Sequence, residues 1–355
     1  MGFCNNARDR EGNVIRRLLP FIGFAAAETW TTAAPAQEIK LTLADQNSPQ
    51  AWGPTNALQP WVKQIETATK GRVKIEVFPS QTLVKGPDMW RQVRAGVVDI
   101  GWCFHGYWPD QTPLADVISL PFLPTKSAEQ ASEVLWKLYE KYPAIQKEFS
   151  DVVPLLLYTT SPYFLLTTKK QVKTLEDLKG MKIRIPGGPP TEMAKALGAV
   201  PAPIPMPDMY QALDKGVVDG MGVPWEAVQG FRLYEVAKYY TMVPTFSAYF
   251  SLCANKQKWA SLPQDVRNQI MGVSGLAGAK FWGKNFFDTA ETDALAKIKA
   301  GKHAMERYDV PEAEVARWRN VAGEPLWNEW VKKMEGKGHK EARAILNDAL
   351  EMLKK

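Results

Sequence analysis

From Ile39 onward the chain runs through two alternating hydrophobic periods. Ile39 to Ala44 and Arg72 to Phe78 alternate apolar and polar residues with period two, the pattern of strands with one buried face. Between them Trp52, Ala57, Leu58, Trp61 and Ile65 fall at helical spacing within the segment from Trp52 to Thr69. This βαβ order continues to about Tyr249 and predicts a mostly parallel sheet flanked by helices, the α/β class. After about Ser261 the strand pattern stops, and Pro263 to Tyr308, Pro311 to Met334 and Lys340 to Leu353 read as long helices.

An internal echo divides the α/β part. Pro87-Asp88-Met89-Trp90-Arg91-Gln92-Val93-Arg94-Ala95-Gly96-Val97-Val98-Asp99 recurs 120 residues later as Pro207-Asp208-Met209-Tyr210-Gln211-Ala212-Leu213-Asp214-Lys215-Gly216-Val217-Val218-Asp219, with seven of thirteen positions identical. Each copy reads as one device: Pro-Asp opening a helix, an aromatic on its buried face, a Gly able to take positive φ at its end, then a short buried strand. Two lobes on one plan leave a cleft between them, and ligands of open α/β sheets gather beyond the carboxyl ends of the strands. The expected site segments are therefore Trp102-Cys103-Phe104-His105-Gly106-Tyr107-Trp108 in the first lobe and Met221-Gly222-Val223-Pro224-Trp225-Glu226 in the second.

Composition narrows the function classes. With 45% apolar and 23% charged residues over 355 positions, the chain is a globular protein large enough for two lobes. Its net charge of +6 is spread among acidic residues, which gives nucleic-acid binding no basic patch to act through. Cys4, Cys103 and Cys253, and His105, His303 and His339, are too dispersed for a metal-ligand motif, and no metal or other cofactor is expected. Whether Cys103 and Cys253 pair stays open at this level. Arg16-Arg17, the apolar run from Leu18 to Ala27 and Ala34-Pro35-Ala36 follow the order of a secretory leader cleaved after Ala36, which predicts export of the mature chain to an oxidising compartment.

Enzyme chemistry finds no support. Gly272-Val273-Ser274-Gly275 departs from the G-x-S-x-G elbow at Leu276, no phosphate-cradling glycine loop follows a strand, and Glu291 with Asp293 reads as a solvated helix face. The 13 tryptophans lie mostly in helical or α/β context, which argues against a carbohydrate-binding β-module. The chemistry-bearing candidate is Arg184. In Lys182-Ile183-Arg184-Ile185 it faces away from two isoleucines at the end of a short strand, just before Pro186-Gly187-Gly188-Pro189-Pro190 and a helix starting near Thr191. A guanidinium beside a helix N-terminus is a carboxylate clamp, although a solvated surface Arg has the same local pattern.

Thr174-Leu175-Glu176-Asp177-Leu178-Lys179-Gly180-Met181-Lys182-Ile183-Arg184-Ile185-Pro186-Gly187, followed by Ala196-Leu197-Gly198-Ala199, Tyr210-Gln211-Ala212-Leu213 and Gly216-Val217-Val218-Asp219-Gly220, resembles the solute-binding subunits of TRAP transporters, the tripartite ATP-independent periplasmic importers, in the DctP family. Gly96-Val97-Val98-Asp99 and Leu120-Pro121-Phe122-Leu123 extend the likeness over nearly the whole chain after the leader. The resemblance implies a two-lobed periplasmic-binding-protein fold of type II, hinged, with a central cleft and long C-terminal helices. It implies that the protein closes on an organic acid and presents it to the small and large subunits of a membrane permease. Residues 37–160 would be mainly lobe I, 161–255 mainly lobe II, and 256–355 helices packing across both. A periplasmic sensor that shows its closed state to a membrane receptor uses the same cleft, and the residues do not separate the two.

The family's carboxylate-binding Arg falls on Arg184. Where sialic-acid-binding members carry a second Arg this chain has Phe164, and where many members have Asn it has Val223. Two polar contacts replaced by apolar ones imply a single carboxylate on an aromatic or branched body, such as a 2-oxo or 2-hydroxy acid, rather than a dicarboxylate or sugar acid. Trp102, Phe104, Tyr107, Phe164 and Trp225 are the expected aromatic contacts, each equally able to be core. Glu226 is open to orienting Arg184, accepting a ligand hydroxyl, helping hold a cation as some relatives of 2-oxo-acid specificity do, or simply starting a helix.

Overall fold

The computed structural model describes residues 38–300 and 304–355, so the leader expected over 1–36 lies outside the described residues. Eleven strands are described: β1 (Ile39–Ala44), β2 (Val73–Phe78), β3 (Ile100–Phe104), β4 (Val152–Thr159), β5 (Phe164–Thr167), β6 (Lys182–Arg184), β7 (Val200–Ala202), β8 (Gly220–Val223), β9 (Tyr239–Met242), β10 (Tyr249–Asn255) and β11 (Glu306–Asp309). They form two sheets, one ordered β2-β1-β3-β10-β4 and the other β11-β9-β5-β8-β6-β7. Each sheet is the frame of one lobe.

The sheets are mixed, not mostly parallel. β1 pairs in parallel with β2 and β3, but β10 runs antiparallel between β3 and β4. In the second sheet β6 is parallel to β7 and β8, and β5 is antiparallel to β8 and β9. The cause is the chain path, because β5 and β10 are the strands that enter each sheet directly from the other lobe. The two crossing segments run side by side: Thr160 N–H donates to Ala248 O (2.8 Å), Tyr163 N–H to Phe246 O (2.7 Å) and Thr245 N–H to Tyr163 O (3.1 Å).

The repeated segment is one device used twice. Helix Met89–Ala95 ends on Gly96 at φ +76°, and helix Met209–Asp214 is followed by Gly216 at φ +66°, so the chain reverses where only glycine is unstrained. Asp99 then accepts the Thr42 N–H of β1 (2.8 Å), and Asp219 accepts the Lys182 N–H of β6 (2.8 Å), each carboxylate fastening its turn to the neighbouring parallel strand. The strands begin later than the hydrophobic pattern indicates, at Ile100 and Gly220, while Val97 and Val217 are exposed turn residues. Trp102, Phe104 and Val223 consequently sit inside strands and not in loops after them.

The segment read as helical from Pro263 to Tyr308 is broken into Gln264–Gly272, Gly275–Trp282, a π-turn Gly283–Asp288 and Ala290–Ala300, and it ends in strand β11 on the edge of the second sheet. Helix Glu312–Ala322 joins the second lobe, where Glu314 accepts the Leu175 N–H (2.7 Å) and the Trp318 indole (2.9 Å). Helix Glu324–Gly336 reaches the first lobe through the Trp327 indole on Pro121 O (2.7 Å) and the Trp330 indole on Pro113 O (3.1 Å). Helix Ala342–Lys354 completes that layer with Ile345, Leu346, Ala349 and Leu353 buried. No helix among the described residues is long and apolar enough to cross a membrane.

Candidate functional site

Alternation on β3 decides which side chains reach the seam between the lobes. Cys103 turns to the outer core, while Trp102 and Phe104 turn to the face shared with Phe250 of β10 and Tyr158 of β4. Their rings make a continuous surface: Trp102 lies 4.7 Å from Phe250, Phe250 4.9 Å from Phe104 and 5.2 Å from Tyr158, and Phe104 4.8 Å from Tyr107. Cys103 and Cys253, on the opposite face of adjacent strands, form a disulfide. His105 also points away from the seam. It bonds Thr112 (3.0 Å) and Ser251 (2.9 Å), stacks on Tyr249, and burial lowers its pKa to about 3, so it is a neutral core residue.

Arg184 closes this surface from the second lobe. It ends β6, paired with Met221 of β8, and is among the largest fully buried side chains. Its Nε donates to Ile204 O (3.0 Å) and its guanidinium carbon stands 5.9 Å from the Phe104 ring across the seam. Nη1 is buried with no hydrogen-bond partner. Burial lowers the guanidinium pKa, and only Tyr107 and Tyr163 act against that. Among the described residues it forms no salt bridge. A buried cation with a free N–H and no counter-charge is costly unless an anion joins it.

The lobes touch through specific bonds. Met206 N–H donates to Tyr107 OH (3.1 Å), which donates to Gln46 Oε1 (3.0 Å), so one tyrosine ties the loop after β7 to the end of β1. Gly187 N–H donates to Gly106 O (3.0 Å). Gly188, at φ +82°, faces Asp116, whose Oδ2 would lie 3.2 Å from a Cβ placed there.

Two carboxyls complete the site. Asp45, just past β1, accepts the Asn47 N–H (3.0 Å) and Nδ2 (2.8 Å) on Oδ1, leaving buried Oδ2 unpartnered. Glu226 opens the helix Trp225–Gly230 with its Oε1 buried and unpartnered. Burial pushes Asp45 up to about 7, and burial together with the charge of Asp45 pushes Glu226 up to about 8.

Of the eight residues expected at the site, Arg184, Trp102, Phe104, Tyr107 and Glu226 converge on the seam. Phe164, Val223 and Trp225 pack in the second lobe's own apolar cluster, with the Phe164 and Trp225 rings 4.4 Å apart. Phe164 and Val223 are cross-strand partners one step along the same sheet face as Arg184 and Met221. Sequence reasoning missed Asp45, Gln46, Tyr158, Tyr163 and Phe250. The first two follow a strand end, the rule applied to β3 and β8, and could have been found by applying it to β1. Tyr158 and Phe250 lie in strands buried on both faces, where no alternation marks the side that meets a ligand.

A cavity of about 680 Å³ opens elsewhere on the seam, lined by Asp110, Asp116, Gly188, Trp330 and Lys333 among others. It holds neither Arg184 nor the aromatic surface, so its size does not make it the solute site. Among the described residues no group of three or more His, Cys, Asp or Glu could hold a metal ion.

Residues 45–333 match the family described as bacterial extracellular solute-binding protein, family 7 (DctP). The chain is 29% identical over 309 residues to the outer membrane transporter protein TsaT of Comamonas testosteroni, covering 86% of this chain and 89% of that one. Among solved structures it resembles a TRAP solute-binding protein from Rhodoferax ferrireducens T118 in complex with copurified benzoate (TM-score 0.84, 29% identity, 89% of this chain and 98% of that one). A marine-metagenome TRAP protein specific for aromatic acid ligands, holding 3-hydroxybenzoate, is equally similar (TM-score 0.84, 30% identity, 90% and 98% covered). A third is the Bordetella bronchiseptica protein with bound (R)- and (S)-mandelate (TM-score 0.82, 29% identity, 89% and 99% covered). The chain belongs to family 7 and is a solute-binding protein of the TRAP type, a family of transport components.

Proposed function

We propose that this family 7 protein captures an aromatic monocarboxylate between its lobes and delivers it to the membrane subunits of its TRAP transporter. The observation that carries the reading is Arg184: a fully buried guanidinium with a free Nη1 and, among the described residues, no acidic partner, set against the Phe104 ring where the lobes meet. A carboxylate there gains charge-assisted hydrogen bonds of about 1.5–3 kcal/mol each. The body of the solute would lie against Trp102, Phe104 and Tyr107. Burying roughly 150 Å² of ring at about 25 cal/mol/Å² adds about 4 kcal/mol, before the entropy of association is subtracted. The aromatic acids held by the relatives from Rhodoferax, Bordetella and the marine metagenome agree with this choice.

Closure would bend the paired crossing segments around residues 160–163 and 243–248, and the bonds of Tyr107 and Gly187 would form as the lobes meet. The leader over 1–36 would export the chain to the periplasm, where TRAP solute-binding proteins work. Isothermal titration with benzoate, mandelate, a C4 dicarboxylate and a uronic acid tests the solute class. Binding of the aromatic acids alone is the expected result, and preference for the dicarboxylate or uronate overturns it.

A further inference from the structure

Arg184 accounts for one end of a solute, but the seam holds a second set of unpartnered polar atoms. Asp45 Oδ2, Glu226 Oε1, Trp102 Nε1 and Tyr158 OH are all buried without hydrogen-bond partners. They belong together. Tyr158 and Trp102 flank Phe250 on one sheet face, the charges of Asp45 and Glu226 both act on the Tyr158 hydroxyl, and the Trp102 indole lies near enough to act on that hydroxyl as a donor without completing a well-formed hydrogen bond. Asp45 continues β1 on the face of Leu43, which is the Trp102 face, and Glu226 arrives from the other lobe. Neither carboxyl is among the groups that act on Arg184, and no basic group is among those that act on them.

We propose that Asp45, Trp102, Tyr158 and Glu226 form a second polar subsite that binds a hydroxyl group on the aromatic acid, making a hydroxylated aromatic monocarboxylate the solute. The inference rests on the carboxylate reading of Arg184. The donor and acceptor inventory selects a hydroxyl over its competitors. An indole N–H only donates, so it needs an acceptor, whereas the carboxyls, whether ionised or protonated, offer acceptor oxygens. A hydroxyl meets both needs at once: its oxygen accepts from Trp102 Nε1, and its hydrogen goes to Asp45 or Glu226. An ammonium group or a bare cation would satisfy the carboxyls but offer no acceptor to the Trp102 N–H. An unsubstituted ring would offer the two carboxyls and the indole no partner, and each unmet buried group carries a desolvation penalty.

The test is isothermal titration of the purified protein with benzoate, 2-, 3- and 4-hydroxybenzoate, mandelate, the methyl ether of each hydroxyl compound, and 3-(aminomethyl)benzoate. The tightest hydroxylated acid is expected to bind about tenfold or more tightly than benzoate, and its methyl ether to lose most of that gain. In Trp102→Phe and Glu226→Met the ratio of hydroxylated acid to benzoate is expected to collapse toward one. A merely structural role would weaken both acids alike and leave the ratio intact, which overturns the proposal. So does equal binding of benzoate, tighter binding of the aminomethyl compound, or a gain in benzoate affinity on adding Ca²⁺ that a chelator reverses. If a variant does not fold, the ether series on the unaltered protein decides alone. Binding of benzoate without hydroxyl preference would leave the Arg184 reading standing and overturn the subsite; binding of no aromatic acid would overturn both.

Discussion

Replacing Arg184 with Met separates a binding residue from a structural one, because the two roles predict opposite effects on the unliganded protein. Methionine keeps the unbranched apolar stem of the side chain and removes the guanidinium with its charge. Removing one partner of a buried charge pair typically costs 3–5 kcal/mol, so affinity for the aromatic acid should fall by roughly 10²- to 10⁴-fold. Stability without solute should behave otherwise. The variant loses the bond from Nε to Ile204 O, worth about 1 kcal/mol, but it also relieves a buried guanidinium whose Nη1 has no partner, a penalty of about 1–3 kcal/mol. The free energy of unfolding should therefore stay within about 2 kcal/mol of the starting protein or rise. Arg184→Lys, which keeps the charge but not the planar fork, should fall between the two in affinity. Titration calorimetry measures the first quantity and urea denaturation without solute the second. An affinity loss below about tenfold, or unfolding that becomes easier in proportion to the lost binding, would refute the assignment.

Other substitutions address closure, protonation and the repeated device. Gly188→Ala places a Cβ 3.2 Å from Asp116 Oδ2 at a backbone angle of φ +82°, and this strain of about 1–3 kcal/mol falls where the lobes meet. It should weaken solute binding about 10- to 100-fold while leaving the scattering profile of the unliganded protein unchanged, and wild-type affinity would show that the contact does not restrain closure. Glu226 keeps its proton up to about pH 8 in the fold against an ordinary value of 4.5, so its stabilising contribution is full at low pH and is lost as pH rises through that window. The unfolding free energy of wild type minus that of Glu226→Gln should accordingly be flat in acid and decline toward pH 8; a difference that rises instead contradicts the buried, unpaired carboxyl. Gly220→Ala brings a Cβ to within 2.4 Å of the Leu166 carbonyl in the middle of the second sheet, where only backbone movement can relieve it. A loss of about 1–3 kcal/mol in thermal unfolding is expected, and an unchanged melting temperature would mean the sheet is looser than its register implies.

The sequence by itself determined what is local and repeated. The period-two and helical patterns located β1, β2 and the helix between them, and the echo of residues 87–99 in 207–219 foretold two lobes built with the same helix and glycine turn, while the fastening role of Asp99 and Asp219 emerged only from the strand pairing. Arg184 stood out as a charged residue ending a short apolar strand ahead of a glycine-proline turn, but that pattern also fits a solvated surface Arg, and the likeness to the family was what singled it out. What only the tertiary structure decided depends on chain crossings. β10 leaves the second lobe's stretch of sequence to pair inside the first sheet, and β11 closes the edge of the second sheet from within a segment of helical composition. Strand pairing is a contact between distant residues, and hydrophobic periodicity carries no record of the partner. The same reason hid Asp45, Tyr158 and Phe250. Each is unremarkable in its own segment and takes its place at the seam only when three strands and two lobes bring it opposite Arg184 and Glu226.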